Sequence, residues 1–289
     1  MKTTAWIATA VAAVTLFTAT PGWPQDLTLA NFFSAGWNEE WTKRAHEGRA
    51  PDMALLRVQT NFLEREFRTN YVFEDEINSR KRRSLNEVEA LIAYGLNRRF
   101  MFEVVTTYDK FAMRHGSDEN GPAGTLVGRI QLVDMPESSY SLNMRVASPN
   151  PGTGEHQTTF GYGLAGFEDL TNRLRLYRVG LYYSALFSSR AGPGASGARR
   201  SDVAYDISVA KTLTDPEKPL VGDLTIFFET FAQSALDGDQ ARRTTLSFTP
   251  GIRFNLGGHN WLMAGVDIPV EIDPKPFDAA YRATYIKNF

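Results

Sequence analysis

Along most of this chain hydrophobic and polar residues alternate with a period of two, the spacing of a β-strand with one apolar face. Leu56, Val58, Thr60 and Phe62 oppose Arg57, Gln59 and Asn61. Val88, Ala90, Ile92, Tyr94 and Leu96 oppose Glu87, Glu89 and Gly95, and Phe100, Phe102, Val104 and Tyr108 oppose Glu103, Thr107 and Asp109. The alternation recurs over 126–132, 140–146, 160–165, 177–187, 203–209, 224–233, 246–255, 264–270 and 281–289. It predicts about twelve strands starting at Ala54, with roughly 22 residues for each strand and its connection, enough for membrane strands of about 9–11 residues.

The connections alternate as well. Tight ones fall at Asn97-Arg98-Arg99, Met135-Pro136-Glu137, Thr171-Asn172-Arg173 and Gly257-Gly258-His259, with a slightly longer one from Thr214 to Lys218. Between them lie longer ones: Asp75 to Arg83, Met113 to Ala123, Pro149 to Gln157, Arg190 to Arg200, Asp237 to Arg242, and a last one holding Asp273-Pro274-Lys275-Pro276. Short turns at one end and long loops at the other, with an even strand number, are the pattern of outer-membrane barrels. The expected fold is all-β, a single antiparallel up-and-down transmembrane β-barrel with a short N-terminal extension. A soluble barrel of this size with its large apolar groups inside would leave voids. A two-sheet sandwich is the soluble alternative.

Composition changes that picture in two ways. The 289 residues have a mean hydropathy of −0.30, and no apolar run after the first 20 residues is long enough for a spanning helix. That excludes a polytopic helical membrane protein and leaves a barrel open. There are no cysteines, which excludes disulfides, thiolate metal sites and cysteine nucleophiles. Thirty-one basic against 33 acidic residues give a net charge of −2, which argues against a nucleic-acid partner held by bulk charge.

Residues 1–25 read as a signal peptide: Lys2, then an apolar stretch from Ala5 to Phe17, then Thr20-Pro21-Gly22. Residues 26–53 form an extension in which Leu29, Phe32, Phe33, Gly36, Trp37 and Trp41 have partial helical spacing. The extension is either a plug that folds into the lumen or a periplasmic amphipathic helix. Residues 54–289 are the barrel. The chain ends on Phe289, with Tyr285 and Tyr281 at steps of four on the same face. This resembles the membrane-assembly signal of outer-membrane barrels, with Lys287 departing from the apolar residue preferred there. It implies the barrel-assembly machinery as a partner.

With apolar faces toward lipid, the opposing positions line the lumen. The lining candidates are Arg57, Glu89, Glu103, Arg129, Arg145, Arg178, Asp202, Asp206, Glu229, Arg253, Asp267 and Arg282. Such a mixture of signs either selects a polar solute or braces a closed interior by ion pairing. Other candidate chemistry is sparse. His115 and Ser117 have the spacing of the H-x-S pair with which outer-membrane lipid hydrolases attack lipid, but they fall in a polar stretch with no group identified to orient the imidazole. Arg80-Lys81-Arg82-Arg83 on an external loop suits lipopolysaccharide phosphates or solvent. His46, His156 and His259 are isolated, so no metal and no cofactor are expected.

The segment Tyr94-Gly95-Leu96-Asn97-Arg98-Arg99-Phe100 resembles a strand-turn-strand signature of the MetA-pathway-of-phenol-degradation family of outer-membrane transporters. Ala147 to Gly154 and Phe160 to Leu170 are similar to further pieces of that pattern. The resemblance implies an outer-membrane protein that passes small organic or hydrophobic molecules, and it carries over no catalytic or binding residues. The expected function is passive transport of small solutes. A rim-located lipid hydrolase and a closed structural or adhesive barrel are the alternatives.

Overall fold

The computed structural model describes residues 26–289 except 43–48, 52, 78–82, 114–115, 149–157, 193–200, 216–217, 219–220, 239–240, 242 and 271–276. The signal-peptide expectation, His46, His115, His156 and most of the basic cluster lie outside the described residues. Twelve antiparallel strands close into one barrel: β1 (Arg65–Ile77), β2 (Arg83–Gly95), β3 (Phe100–Met113), β4 (Gly116–Met135), β5 (Ser138–Ala147), β6 (Thr158–Asp169), β7 (Val179–Ala191), β8 (Ser201–Thr212), β9 (Gly222–Ala235), β10 (Thr244–Gly257), β11 (Asn260–Pro269) and β12 (Ala279–Asn288). Each strand pairs with its sequence neighbours, and β1 closes on β12 with Phe73 opposite Tyr281. Closure leaves no unpaired sheet edge, the condition for crossing a bilayer with strands. The helix among the described residues, α1 (Thr171–Leu174), is a single turn between β6 and β7.

The period-two pattern sorts the side chains. Ile92, Val104, Leu126, Leu164, Tyr205, Ile226, Phe228, Ile252 and Ile268 are exposed on the outside. Their sequence neighbours point inward, and most are small or polar. Phe228 stacks on Phe248 and Phe73 on Tyr281 across adjacent strands of the outer face.

The first expected strand is corrected. The alternation over Ala54 to Phe62 does not enter the sheet, and β1 runs from Arg65 to Ile77 instead. The chain bends back at 56–58 and is buried at consecutive positions, 53–55 and 60–62, so its alternation in sequence is not that of a strand with one apolar face. The ladder decides, and β12 takes Glu66 to Asp75 as its partner. The expected loop from Met113 to Ala123 is also corrected: Met113 pairs with Gly116 and Ala112 with Ser117, so β3 and β4 continue as a hairpin through it. Ser117 thus lies on β4. Arg178, expected on a strand, sits in the turn before β7 with φ of 50°.

Candidate functional site

The interior of the barrel is occupied by the chain's own N-terminal segment. Residues 49–64 touch inward-facing groups all around the wall. Arg49 O accepts from Arg178 Nε at 3.0 Å, and Pro51 O from the Tyr182 hydroxyl at 2.6 Å. Met53 Sδ meets Arg253 Nη1, and Leu56 packs against Gly265, where a Cβ would lie 2.5 Å from it. Gln59 N–H donates to Ser184 Oγ, Asn61 Nδ2 donates to Ser139 O at 3.1 Å, and Phe62 O accepts from Arg129 Nη1 at 2.8 Å. These partners stand on β4, β5, β7, β10 and β11 or at their ends. Only inside the barrel can one short segment reach all of them.

The tip of this fold-back is Arg57 and Val58. Both of their backbone N–H groups donate to Glu229 Oε1 at 3.1 Å. The Arg57 guanidinium pairs with Asp267 and lies 3.7 Å over the Phe231 ring. Asp267 is fully buried. It also takes Arg282 Nε at 2.7 Å and the Thr249 hydroxyl at 2.6 Å. Glu229 and Asp267 each lie seven residues in from the short-turn end of their strands (Gly222 to Glu229, Asn260 to Asp267). At about 3.3 Å per residue that is roughly 23 Å of strand, so the tip reaches well into the barrel.

Two different walls face the segment. On the side of β6 to β9, Ala50, Met53, Leu55, Val58 and Phe62 form one buried cluster with Phe167, Tyr182, Ala210 and Phe227. On the side of β1 to β5, Leu63 packs against Leu91, Ala93, Met101 and Val105, and beside that contact a cavity of about 280 Å³ remains, lined by Arg68, Asn70, Glu89, Glu103, Arg129 and Arg145 among others. Arg68 pairs with Glu66, and Arg129 is held by Asn143 Oδ1 at 2.7 Å with Glu103 at 3.7 Å.

The rest of the extension lies across the short-turn end, and it is attached to the turn between β2 and β3. Leu27 makes a two-bond bridge with Asp134. Gly95 admits Trp41, whose ring a Cβ would meet at 2.4 Å, and the Trp41 indole donates to Leu63 O at 2.9 Å. Asn97 Nδ2 donates to Trp37 O at 2.9 Å, and Arg98 pairs with Glu39. Arg99 is completely buried. It donates to Ala35 O, Gln131 O, Leu132 O, Thr28 O and both oxygens of Asn31, with its guanidinium 5.1 Å from the Phe32 ring centre. Gly36 has φ of +85° and lies against Arg99, so a side chain there would be strained and crowded. Glu39 accepts from Arg98 and from the Gly36 N–H at 2.8 Å, and these bonds hold its carboxyl below the usual carboxylate range.

Each lining candidate now has a place. Glu89, Glu103, Arg129 and Arg145 stand on β2 to β5. Asp202 and Asp206 are on β8, Glu229 on β9, Arg253 on β10, Asp267 on β11 and Arg282 on β12. Arg57 belongs to the folded-back segment, and Arg178 holds its entry point while bonding Asp223 at 2.7 Å. Gln233 donates to Asp202, and Ser184 to Asp206. Tyr281 and Phe289 are exposed on the outer face, and the Tyr285 hydroxyl donates to Asn260. The buried role of Arg99 and the apolar inner face of Phe167, Tyr182 and Phe227 have no counterpart among the sequence candidates. For Tyr182 and Phe227 a signal exists: each stands beside an outward aromatic, Tyr183 and Phe228, so the strand is apolar on both faces there. Among the described residues no cluster suited to a metal ion occurs.

No protein-family model matches the chain, and no curated protein does. Solved structures do. An outer membrane channel from Pseudomonas putida F1 superposes with a TM-score of 0.62 at 9% identity, covering 78% of this chain and 94% of that one. The KdgM porin in complex with disordered oligogalacturonate gives a TM-score of 0.52 at 9% identity, covering 77% and 99%, and the KdgM porin without it gives 0.51. The fold of this chain is that of an outer-membrane β-barrel.

Proposed function

We propose that this protein is a passive channel of the bacterial outer membrane for small solutes, with its lumen narrowed by residues 49–64. The observation that carries the reading is the filled lumen itself: a closed barrel whose interior holds a folded-back segment on one side and a polar cavity on the other. A structural barrel needs no polar cavity beside its packing. The structural likeness to a channel and a porin supports the same reading. Solute would move by diffusion along the charged wall. Membership of the MetA-pathway-of-phenol-degradation family, with small organic solutes, belongs to this proposal and rests on the sequence resemblance alone. In the same reading Tyr281, Tyr285 and Phe289 present the assembly signal, and the outer belt contacts lipid and lipopolysaccharide. Single-channel recording of the purified chain in a planar bilayer tests the proposal. Current steps in potassium chloride are expected. Their absence would overturn it in favour of a closed structural barrel.

A further inference from the structure

The charged groups lining the cavity do not all find partners. Arg57 has Asp267, Arg68 has Glu66, and Arg129 has Glu103. Two groups are left over. Arg145 lies flat across Gly161, where a Cβ would come within 2.8 Å of its Cγ, and reaches the Ser188 hydroxyl at 3.0 Å. Among the described residues no carboxylate comes within ion-pair distance of it, and its Nε is buried without an acceptor. Glu89 accepts from Asn70 Nδ2 at 2.5 Å and, among the described residues, has no cation within ion-pair distance. Both side chains line the same cavity, and so do the apolar groups Leu91, Val105, Val127 and Leu186.

Asp202 acts on Arg145, and Arg68 on Glu89, only from beyond contact distance, and a guanidinium or a carboxylate out of bulk water without a direct counter-charge is costly. Gly161 gives the Arg145 side chain room to lie against the wall, and the Ser188 hydroxyl takes one of its N–H groups. A ligand carrying the complementary groups would satisfy both. At about 280 Å³ the cavity is just below the range of roughly 300–1,000 Å³ for drug-sized ligands, so the ligand is small. We propose that the cavity is a recognition site for small amphipathic organic acids bearing a proton donor at the far end. The carboxylate pairs with Arg145, the apolar body lies on Leu91, Val105, Val127 and Leu186, and an ammonium or hydroxyl group faces Glu89. The proposal names the solute class of the channel reading and rests on it for its biological meaning.

Three probes separate the contributions: hexanoate, 6-aminohexanoate and hexylammonium. Calorimetric titration of the full chain in detergent is expected to rank 6-aminohexanoate first, hexanoate second and hexylammonium last. Arg145→Gln is expected to weaken both acids by about tenfold or more, the loss of one charge-assisted bond, and to leave hexylammonium unchanged. Glu89→Gln is expected to bring 6-aminohexanoate down to the level of hexanoate. Heat-modifiable migration shows that each variant is a folded barrel, and Arg145→Lys, which keeps the charge, should retain part of the affinity. The proposal is overturned if neither acid binds the parent protein, or if folded Arg145→Gln binds them unchanged. Potassium chloride currents in the same preparation keep the two readings apart. Currents without acid binding overturn the site and leave the channel standing. Acid binding without currents supports the site and overturns the channel.

Discussion

The two walls of the lumen use the same strand chemistry to opposite ends. On β6 to β9 the inward positions include Phe167, Tyr182, Ala210 and Phe227, and the folded-back segment packs against them as a protein core packs. On β1 to β5 the inward positions at the cavity include five charged groups, Arg68, Glu89, Glu103, Arg129 and Arg145, beside Leu91, Val105 and Val127, and no chain covers them fully. Burying a large apolar side chain contributes about 1.5–3 kcal/mol. Removing paired charges from water contributes little or nothing net. The segment therefore rests on the apolar wall, and the space beside it is left on the charged one. The segment fills one half of the lumen and leaves the cavity in the other.

The ion-pair junction at the tip is where this comparison breaks most easily. Asp267 is the shared acceptor for Arg57, Arg282 and Thr249. Asp267→Asn leaves two guanidinium groups without their counter-charge, a change that typically costs about 3–5 kcal/mol. Single-channel conductance should rise markedly as the segment loses its deepest anchor. Glu103→Gln on the opposite wall should alter ion selectivity and leave conductance close to the parent value. Equal conductance changes from both variants would erase the distinction between the walls.

Phe227→Ala attacks the apolar wall directly. Truncating a buried phenylalanine costs about 3–5 kcal/mol in a close-packed core, and here the loss falls on the docking of residues 50–62. Hydrogen exchange of the Arg57 and Val58 amides, both bonded to Glu229, is the sensitive readout. Faster exchange at these amides with an unchanged barrel ladder is expected. Unchanged exchange would mean that the ion pairs alone hold the segment.

Most of the sheet was legible because a membrane barrel imposes the same constraint on every strand. Lipid outside and a polar or small group inside produce the period of two from Glu87 to Phe289. The pattern failed where two physical situations share one signature. Leu56, Val58, Thr60 and Phe62 alternate like a strand, yet they belong to an unpaired chain inside the lumen that is buried on both sides of the alternation, Thr60, Asn61 and Phe62 alike. Arg65 to Ile77 alternates equally well, and only the need of β12 for a partner chooses between them. The polar loop from Met113 to Ala123 misled for a related reason: a polar composition does not distinguish a loop from strand ends that remain paired, as Met113 with Gly116 and Ala112 with Ser117 are here. Arg99 was illegible for another reason. Two adjacent arginines in a tight turn carry no mark of burial, because the cage around Arg99 is made of backbone carbonyls from residues far away in sequence.

That cage yields the next test. Arg99 ties the extension to the β2–β3 turn through donors on all three guanidinium nitrogens. Lysine keeps the charge but cannot span those acceptors. Arg99→Lys should lose about 1.5–3 kcal/mol of attachment, the value of hydrogen bonds to a charged group. Limited proteolysis between Leu27 and Trp41 should become faster, while heat-modifiable migration of the barrel stays the same. Protection equal to the parent would show that the Leu27 bridge to Asp134 and the Trp41 contact with Gly95 suffice.

Glu39 gives the smallest effect and the sharpest sign. Its folded carboxyl is held below the usual range of about 4.3, first by the Arg98 bond and then by the Gly36 N–H. A depressed carboxylate contributes stability above the unfolded value and loses it as pH falls through the folded one. The side chain is 41% exposed, so solvent screens much of the interaction. Protection of residues 27–41 should therefore be constant from neutral pH down to about 5 and decline modestly on further acidification. In Glu39→Gln that decline should shrink, with slightly lower protection at neutral pH. The fold-back at Arg57 is held by other groups, so a parallel loss of amide protection there at the same pH would show that the two ends of the segment are coupled. Loss confined to the extension would show that the short-turn end can loosen while the lumen stays filled.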